Sequence, residues 1–170
     1  MLDLTFRWID RVIAGIGRAA ALLVLVVIAL VVYEIIARGA FNMPSSWAHE
    51  LSTWLITALI FLGGPYALAK DHFVRVDIFY GQMGSRTRAI VDTTVSTALF
   101  LIFVGVLLWL GGELALRSIA IDERSATGAW GGPVWAAKSL LPIGAVLLVL
   151  AWLSRLYRLW AGDERDGGSA

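Results

Sequence analysis

The sequence predicts an all-α protein, an integral membrane bundle of four transmembrane helices with both termini in the cytoplasm. Of the 170 residues, 59% are apolar and 16% are charged, whereas about a quarter of the residues in a soluble domain are charged. The charges cluster between four long apolar runs. Lysine and arginine are also distributed unevenly among the segments that flank these runs.

Four runs are long enough to cross a bilayer. The hydrocarbon core is about 30 Å thick and needs about 20 apolar residues in a helix. Leu51–Ala69 and Thr93–Gly112 are free of charge, and the first and last runs reach the required length through apolar neighbours, with Lys138 interrupting the last. We predict spans at about 14–37, 48–69, 90–115 and 134–156. The first run is too long for a secretory signal and is read as a retained signal-anchor.

The basic residues predict the orientation, because cytoplasmic flanks carry an excess of Lys and Arg. Of fourteen such residues, ten lie in the N-terminal segment, the second loop and the tail: Arg7, Arg11, Arg18, Lys70, Arg75, Arg86, Arg88, Arg155, Arg158 and Arg165. The other four, Arg38, Arg117, Arg124 and Lys138, flank the opposite ends of the spans. Lys138 counts on that side only if its side chain snorkels towards it. Both termini are therefore predicted to be cytoplasmic.

The chain is predicted to be one membrane domain, residues 1–161, followed by a flexible cytoplasmic tail, residues 162–170. The tail is polar and rich in glycine, and chain ends of this kind fray. The sequence has no cysteine, which excludes disulfides and cysteine metal sites. No internal repeat is apparent.

Helix 1 ends with a pair of opposite charges. Glu34 and Arg38 are four residues apart on one helical face, with the acid first, an order that suits both the pair and the helix dipole. The pair is interpreted as a local ion pair at the membrane interface. The alternative is a contact with a partner protein or a lipid headgroup.

Helix 2 carries a polar stripe. Ser45 or Ser46 can cap its start, and Glu50, Thr53, Thr57 and Gly64 follow at helical spacing. Stripes of small and hydroxyl residues are typical of helix–helix packing in membranes, and a solute pathway is the alternative. Further along, Pro65 cannot donate to the carbonyl of Phe61, which weakens the helix there.

Two loops interleave apolar and charged residues. The stretch 70–80, between helices 2 and 3, is expected to lie along the cytoplasmic interface, as a plain connector or as a docking element for a second membrane subunit. The third loop contains Asp122-Glu123-Arg124-Ser125 and then Trp130. A charged cluster beside tryptophans could bind a periplasmic protein, and anchoring of the tryptophans at the interface is equally consistent.

The two histidines argue against a redox cofactor. The predicted orientation puts His49 at the outer surface and His72 at the inner one, so the two rings cannot face each other across a haem. We therefore predict no cofactor, no metal and no catalytic residues. The chain is not expected to be an enzyme.

The four spans and several short motifs together resemble the small membrane subunit of tripartite ATP-independent periplasmic (TRAP) transporters, the DctQ-like family. Each motif is loose alone, and their order and spacing carry the resemblance. The motifs are Glu34 with Arg38, Phe41-Asn42, Trp47-Ala48-His49-Glu50-Leu51, Tyr66-Ala67-Leu68, Arg75-Val76-Asp77, Glu123-Arg124-Ser125 and Leu141-Pro142-Ile143-Gly144. One departure is Phe73, which stands where the family often has a histidine, with His72 one residue earlier.

The resemblance implies a partner-dependent role in a bacterial inner membrane. In that family a periplasmic binding protein captures a solute, often a carboxylate, and a large membrane subunit carries it inward with a sodium gradient. The small subunit is expected to brace the large one and to help seat the binding protein. The candidate residues for partner contacts are Glu34, Arg38, Trp47, Glu50, Thr53, Thr57, Arg75, Asp77, Glu123, Arg124 and Trp130.

Two other functions remain open at this point. A self-sufficient four-helix transporter would need a carboxylate or similar coupling group within the membrane, but the acidic residues nearest the spans, Glu34, Glu50, Asp92 and Glu113, lie near span ends. A membrane anchor of a respiratory enzyme would bind haem or quinone. The positions of the histidines oppose the haem.

Overall fold

A computed structural model of the chain describes residues 2–70, 85–126 and 130–166. Its four helices are α1 (Leu2–Phe41), α2 (Ser46–Ala69), α3 (Ser85–Ala120) and α4 (Val134–Asp166). Each contains a stretch long and apolar enough to cross a membrane, namely Leu4–Phe41, Ser46–Ala69, Thr94–Ala120 and Val134–Arg158. The predicted four-helix membrane architecture is confirmed.

Three helices extend well beyond the predicted spans. α1 begins at Leu2 and α4 continues to Asp166, because a helix that satisfies its own backbone hydrogen bonds need not end where the bilayer does. Tertiary contacts support the extension, since the rings of Phe6 and Tyr157 stack with centroids 4.3 Å apart. The helical residues 162–166 fall within the segment predicted to be a flexible tail. The interfacial segment predicted between helices 2 and 3 lies, apart from Lys70, outside the described residues.

The helices form a layer in the order α1, α2, α4, α3. α1 and α4 both pack on α2 and also touch each other, and α3 packs chiefly on α4. Below, the end that holds Asp10, Lys70 and Arg158 is called the terminal end. The end that holds the α1–α2 connection and the α3–α4 loop, residues 121–133, is called the loop end.

The buried core lies towards the terminal end. Ile13, Leu68, Ala151 and Trp152 form one cluster from α1, α2 and α4. Phe100 adds α3 by stacking on Trp152, with ring centroids 4.5 Å apart and planes 15° apart. The core therefore joins all four helices.

Two glycines allow the helices to approach closely. A Cβ at Gly144 would lie 2.7 Å from the Cβ of Phe61 and 2.8 Å from its carbonyl oxygen, and one at Gly17 would lie 2.4 Å from the Cβ of Tyr66. The Phe61 carbonyl is the one that Pro65 leaves without a helical donor. Helix α4 therefore packs directly on the irregular turn of α2.

The outer surface of the layer is apolar. Leu25, Ile102 and Trp109 have 65%, 65% and 76% of their surface exposed. A soluble protein rarely exposes so many large apolar side chains side by side. Lipid tails solvate such side chains as well as protein does, so the surface agrees with a bilayer as its solvent.

Candidate partner-binding surfaces

The α1–α2 connection brings the start of α2 back over the end of α1. Asn42 adopts the left-handed conformation with φ of +51°, which asparagine tolerates better than most residues. The Met43 amide then donates to the Ala37 carbonyl at 3.0 Å. Ser45 occupies the N-cap of α2, with φ of −99° and ψ of 126° and no capping bond from its side chain.

The Ser45 hydroxyl is directed at Glu34 instead. It donates to Glu34 Oε2, and the Ser45 amide donates to the same oxygen at 3.2 Å. The other carboxylate oxygen accepts from Arg38 Nη2 at 2.9 Å, so the predicted ion pair is present. The side chain of Glu34 is 15% exposed and that of Arg38 is 66% exposed. The carboxylate is therefore committed within the chain, whereas the guanidinium is accessible.

Two open cavities flank this ion pair. One, of about 280 Å³, is lined by Glu34, Arg38 and His49 together with α1 and α2 residues around them. The other, of about 610 Å³, includes Tyr33 and Trp47, whose ring centroids are 5.6 Å apart. Trp47 is thus half-buried against α1 at the loop end.

The α3–α4 loop begins with a Schellman cap. Asp122 is left-handed with φ of +45°, its amide donates to Ile119 O at 3.1 Å, and the Glu123 amide donates to Ser118 O at 3.0 Å. The loop then pairs with itself across an antiparallel bridge between Arg124 and Pro133. These bonds bring Ser125 and Trp130 to the same side.

Glu50 connects this loop to α2. Its Oε2 accepts from Ser125 Oγ at 2.5 Å and from Trp130 Nε1 at 2.8 Å. The Trp130 ring also lies against Trp54, one turn further along α2, with centroids 5.3 Å apart. Two predicted partner-contact residues, Glu50 and Trp130, are therefore bonded to each other.

The other charged residues of the loop form one partly buried ion pair and one exposed ion pair. Lys138 Nζ donates to Glu123 Oε2 at 2.5 Å, so Lys138 reaches towards the loop end. The Lys138 ammonium holds the pKa of Glu123 below its ordinary value. Arg124 pairs with Asp122 at 3.0 Å, and both side chains are mostly exposed. Arg124 thus remains accessible to a partner.

The stripe on α2 is not buried within the chain. Thr53 is exposed and Thr57 is partly exposed, and nothing lies within 4 Å of a Cβ built at Gly64. The buried residues of α2 are Ala48, Ser52, Ala58, Pro65 and Leu68. Thr53 donates to its own helix at His49 O (3.1 Å), and Thr57 donates to Thr53 O (2.9 Å). The stripe can therefore face lipid or protein without an unsatisfied hydroxyl.

Sequence reasoning missed a polar network at the terminal end. Asp10 Oδ1 accepts from Ser154 Oγ at 2.7 Å, and Asp10 Oδ2 lies 3.4 Å from Arg158 Nη1. Arg158 Nη2 also donates to the Ala69 carbonyl at the end of α2, at 2.9 Å. The sequence did show an acid, Asp10, among the arginines of the first segment and an arginine, Arg158, at the end of the last span. Their spacing gave no reason to pair them.

Two predicted contact residues, Arg75 and Asp77, lie outside the described residues, as does His72. In the described ranges, no three His, Cys, Asp or Glu side chains are grouped so as to hold a metal ion.

Residues 27–162 match the family described as tripartite ATP-independent periplasmic transporters, DctQ component. The match covers most of the chain, from the middle of α1 to the last turns of α4. The chain belongs to this family.

A relative with a known role is the sialic acid TRAP transporter small permease protein SiaQ of Vibrio cholerae. It is 26% identical over 132 residues, which cover 78% of this chain and 73% of the relative. This DctQ-family chain is accordingly a multi-pass membrane protein and a small permease subunit of a TRAP transporter, and the family resemblance found in the sequence is confirmed. The family consists of transporter subunits and not of enzymes. Small permease subunits of the family work with a large membrane subunit and a periplasmic binding protein.

Proposed function

We propose that this DctQ-family subunit braces the large membrane subunit of its transporter during sodium-driven uptake of a carboxylate, which a periplasmic binding protein delivers. In this proposal both termini are cytoplasmic, in a bacterial inner membrane. The loop end then faces the periplasm and the terminal end faces the cytoplasm.

The position of the charged groups is the observation that carries the proposal. Long stretches of each helix are free of charge, including 19–33 in α1 and 51–69 in α2. The described carboxylates Glu34, Glu50 and Asp10 are bonded within the chain near helix ends. A protein that carries an ionic solute itself is expected to keep ionisable groups near the middle of the membrane. The chain therefore supports a scaffold role better than a conduit role.

The solute class and coupling ion come from similarity. The name of the Vibrio cholerae relative gives sialic acid, and sialic acids are carboxylates. The family resemblance implies a sodium gradient. In this proposal, solute recognition and sodium coupling belong to the binding protein and the large membrane subunit.

Two surfaces are proposed to meet the large subunit. One is the stripe of Thr53 and Thr57, which the chain leaves uncovered and whose hydroxyls are already satisfied. Small residues allow the close packing that holds helices together in lipid. The other is the segment with Arg75 and Asp77, where apolar and charged residues interleave beside the membrane.

Co-purification of the two membrane subunits tests the segment between α2 and α3. Replacing Arg75 and Asp77 together with alanine should lower the yield of large subunit bound to the tagged chain, while membrane insertion stays intact. Arg165→Ala with Asp166→Ala removes the same two charge types elsewhere and serves as the control. Unchanged complex yield and uptake in the first variant would contradict the proposal for this segment.

A steric substitution tests the stripe. Thr53→Phe should weaken co-purification of the large subunit, because a ring would separate two closely packed helices. Val106→Phe is the matched control on α3, at a residue 51% exposed. Loss of the complex with Val106→Phe alone would place the partner on α3 and overturn the assignment.

Uptake by the purified chain alone, reconstituted in vesicles, separates the scaffold role from a self-sufficient transporter. No sodium-dependent uptake of sialic acid is expected without the large subunit. Uptake by the chain alone would contradict the proposal.

A further inference from the structure

A carboxylate at the start of α2 is hydrogen-bonded to two residues of the α3–α4 loop. Glu50 accepts hydrogen bonds from Ser125 and Trp130, which lie 75 and 80 residues further along the chain. A carboxylate can only accept, and hydrogen bonds to it are about twice as strong as those between neutral groups. Removing it takes the Glu50 acceptor away from two donors in a half-buried site, which costs free energy.

Glu123, at the start of the loop, is bonded to the two helices that the loop connects. The Glu123 amide bonds to Ser118 at the end of α3, and the Glu123 carboxylate bonds to Lys138 of α4. These ties fix the base of the loop. The contacts of Glu50 and Trp54 with Trp130 join the loop, at that residue, to a third helix, α2.

We infer that Glu50 is a positioning residue, which holds the described residues of the α3–α4 loop, 121–126 and 130–133, in place on α2. The geometry supports this because the Glu50 carboxylate accepts from two separate residues of the loop, Ser125 and Trp130, and the Trp130 ring also packs on Trp54, tilted by 37°. The exposed pair Asp122 and Arg124 is then presented at a constant place on the loop end.

The functional consequence of this ordered loop, an effect on partner docking, rests on the proposed function. A surface ordered before binding loses less conformational entropy when a partner docks. In a transporter served by a binding protein, Glu50 would therefore raise the affinity of docking through the loop, while Arg124 and its neighbours make the contact.

Spin labelling tests the conformational part without any partner. The chain has no cysteine, so Ala126→Cys, at an exposed loop position, carries a single nitroxide label in lipid nanodiscs. In the Glu50→Ala background the ratio of mobile to immobile label should rise about tenfold, as expected from the loss of hydrogen bonds to a charged group. Glu50→Gln, which keeps one acceptor, should give a smaller rise.

Glu113→Gln is the matched control, because Glu113 pairs with Arg117 within α3 and should leave the label unchanged. Circular dichroism of each variant confirms that the helices are intact. An unchanged spectrum in the Glu50→Ala background overturns the inference.

A double-mutant cycle identifies the donor. Trp130→Phe keeps the ring against Trp54 and removes the N–H, so it should mobilise the label when Glu50 is present and add little when Glu50 is alanine. Trp109→Phe, at an exposed indole of α3, is the control. Fully additive effects of Trp130→Phe and Glu50→Ala would contradict the bond as the cause.

Uptake by the complete transporter tests the consequence. Glu50→Gln should raise the half-saturating concentration of binding protein several-fold and leave the uptake rate at saturation unchanged. Loss of the large subunit from the Glu50→Gln complex, with an unchanged label spectrum, would make Glu50 a partner contact and overturn the inference. Uptake that needs no binding protein in the unsubstituted transporter would contradict the proposed function and leave the label result standing.

Discussion

Ser154 donates a 2.7 Å hydrogen bond to the Asp10 carboxylate and so ties the last helix to the first across 144 residues of sequence. Ser154 has none of its surface exposed. Arg158, one turn further along α4, adds a contact to the same carboxylate and a bond to the end of α2. Three helices, α1, α2 and α4, are therefore held together at the terminal end by polar groups.

We expect Ser154→Ala to lower the free energy of unfolding by about 1 kcal/mol, the net contribution of a typical buried hydrogen bond. Unfolding of the isolated chain in mixed detergent micelles measures this value. Ser139→Ala is the control, because the Ser139 hydroxyl donates within its own helix, to Trp135 O. Equal effects of the two substitutions would show that the bond to Asp10 contributes nothing.

We expect Gly144→Ala to destabilise the packing of α4 on α2 by about 1–3 kcal/mol, as overpacking does in a close contact. The added Cβ would meet the Cβ and carbonyl oxygen of Phe61 at less than 3.0 Å, and the backbone oxygen cannot rotate away. Gly105→Ala has open space around it and should be neutral or slightly stabilising, because alanine favours helix over glycine. The same unfolding measurement decides, and a neutral Gly144→Ala would disprove the close approach.

We expect Glu34→Ala to lower the midpoint of thermal unfolding more than Arg38→Ala does. Loss of the carboxylate leaves the amide and hydroxyl of Ser45 without their acceptor, whereas Arg38 is an exposed partner of small energetic weight. Leu25→Ala, at an exposed position of α1, shows the effect of a truncation that breaks no polar bond. A larger effect of Arg38→Ala would contradict the structure at this corner.

The stability contributed by Glu123 should depend on pH in one direction. Lys138 depresses the pKa of Glu123 in the folded chain below the ordinary value of 4.5, so the contribution is present above about pH 4.5 and is lost as the pH falls through the folded pKa. The difference in unfolding midpoint between the unsubstituted chain and Glu123→Gln should therefore be constant near neutral pH and shrink in acid. A difference that grows in acid would contradict the pair with Lys138.

At the loop end the sequence predicted one ion pair, and the remaining bonds could not be predicted. The Glu34–Arg38 pair was predictable because both residues lie on one helical face four positions apart, and it is present. Ser45 or Ser46 was predicted to cap α2. Ser45 occupies the N-cap position, but its side chain makes no capping bond and its hydroxyl donates to Glu34 instead. The reversal at Asn42 brings these two residues together, and no helical spacing encodes that reversal.

Hydropathy and the placement of charges were sufficient to predict four membrane helices, because the cost of burying charge in lipid acts on each segment separately. The family was predicted from the order and spacing of short motifs along the sequence. The pairing of Glu50 with Ser125 and Trp130, of Asp10 with Ser154, and the approach of Gly144 to Phe61 needed the folded chain. Each joins groups from different helices or loops, so it depends on how the helices are packed and on the path of the loops. That packing, more than the composition of α2, leaves Thr53 and Thr57 facing outward and commits Glu50 to the loop.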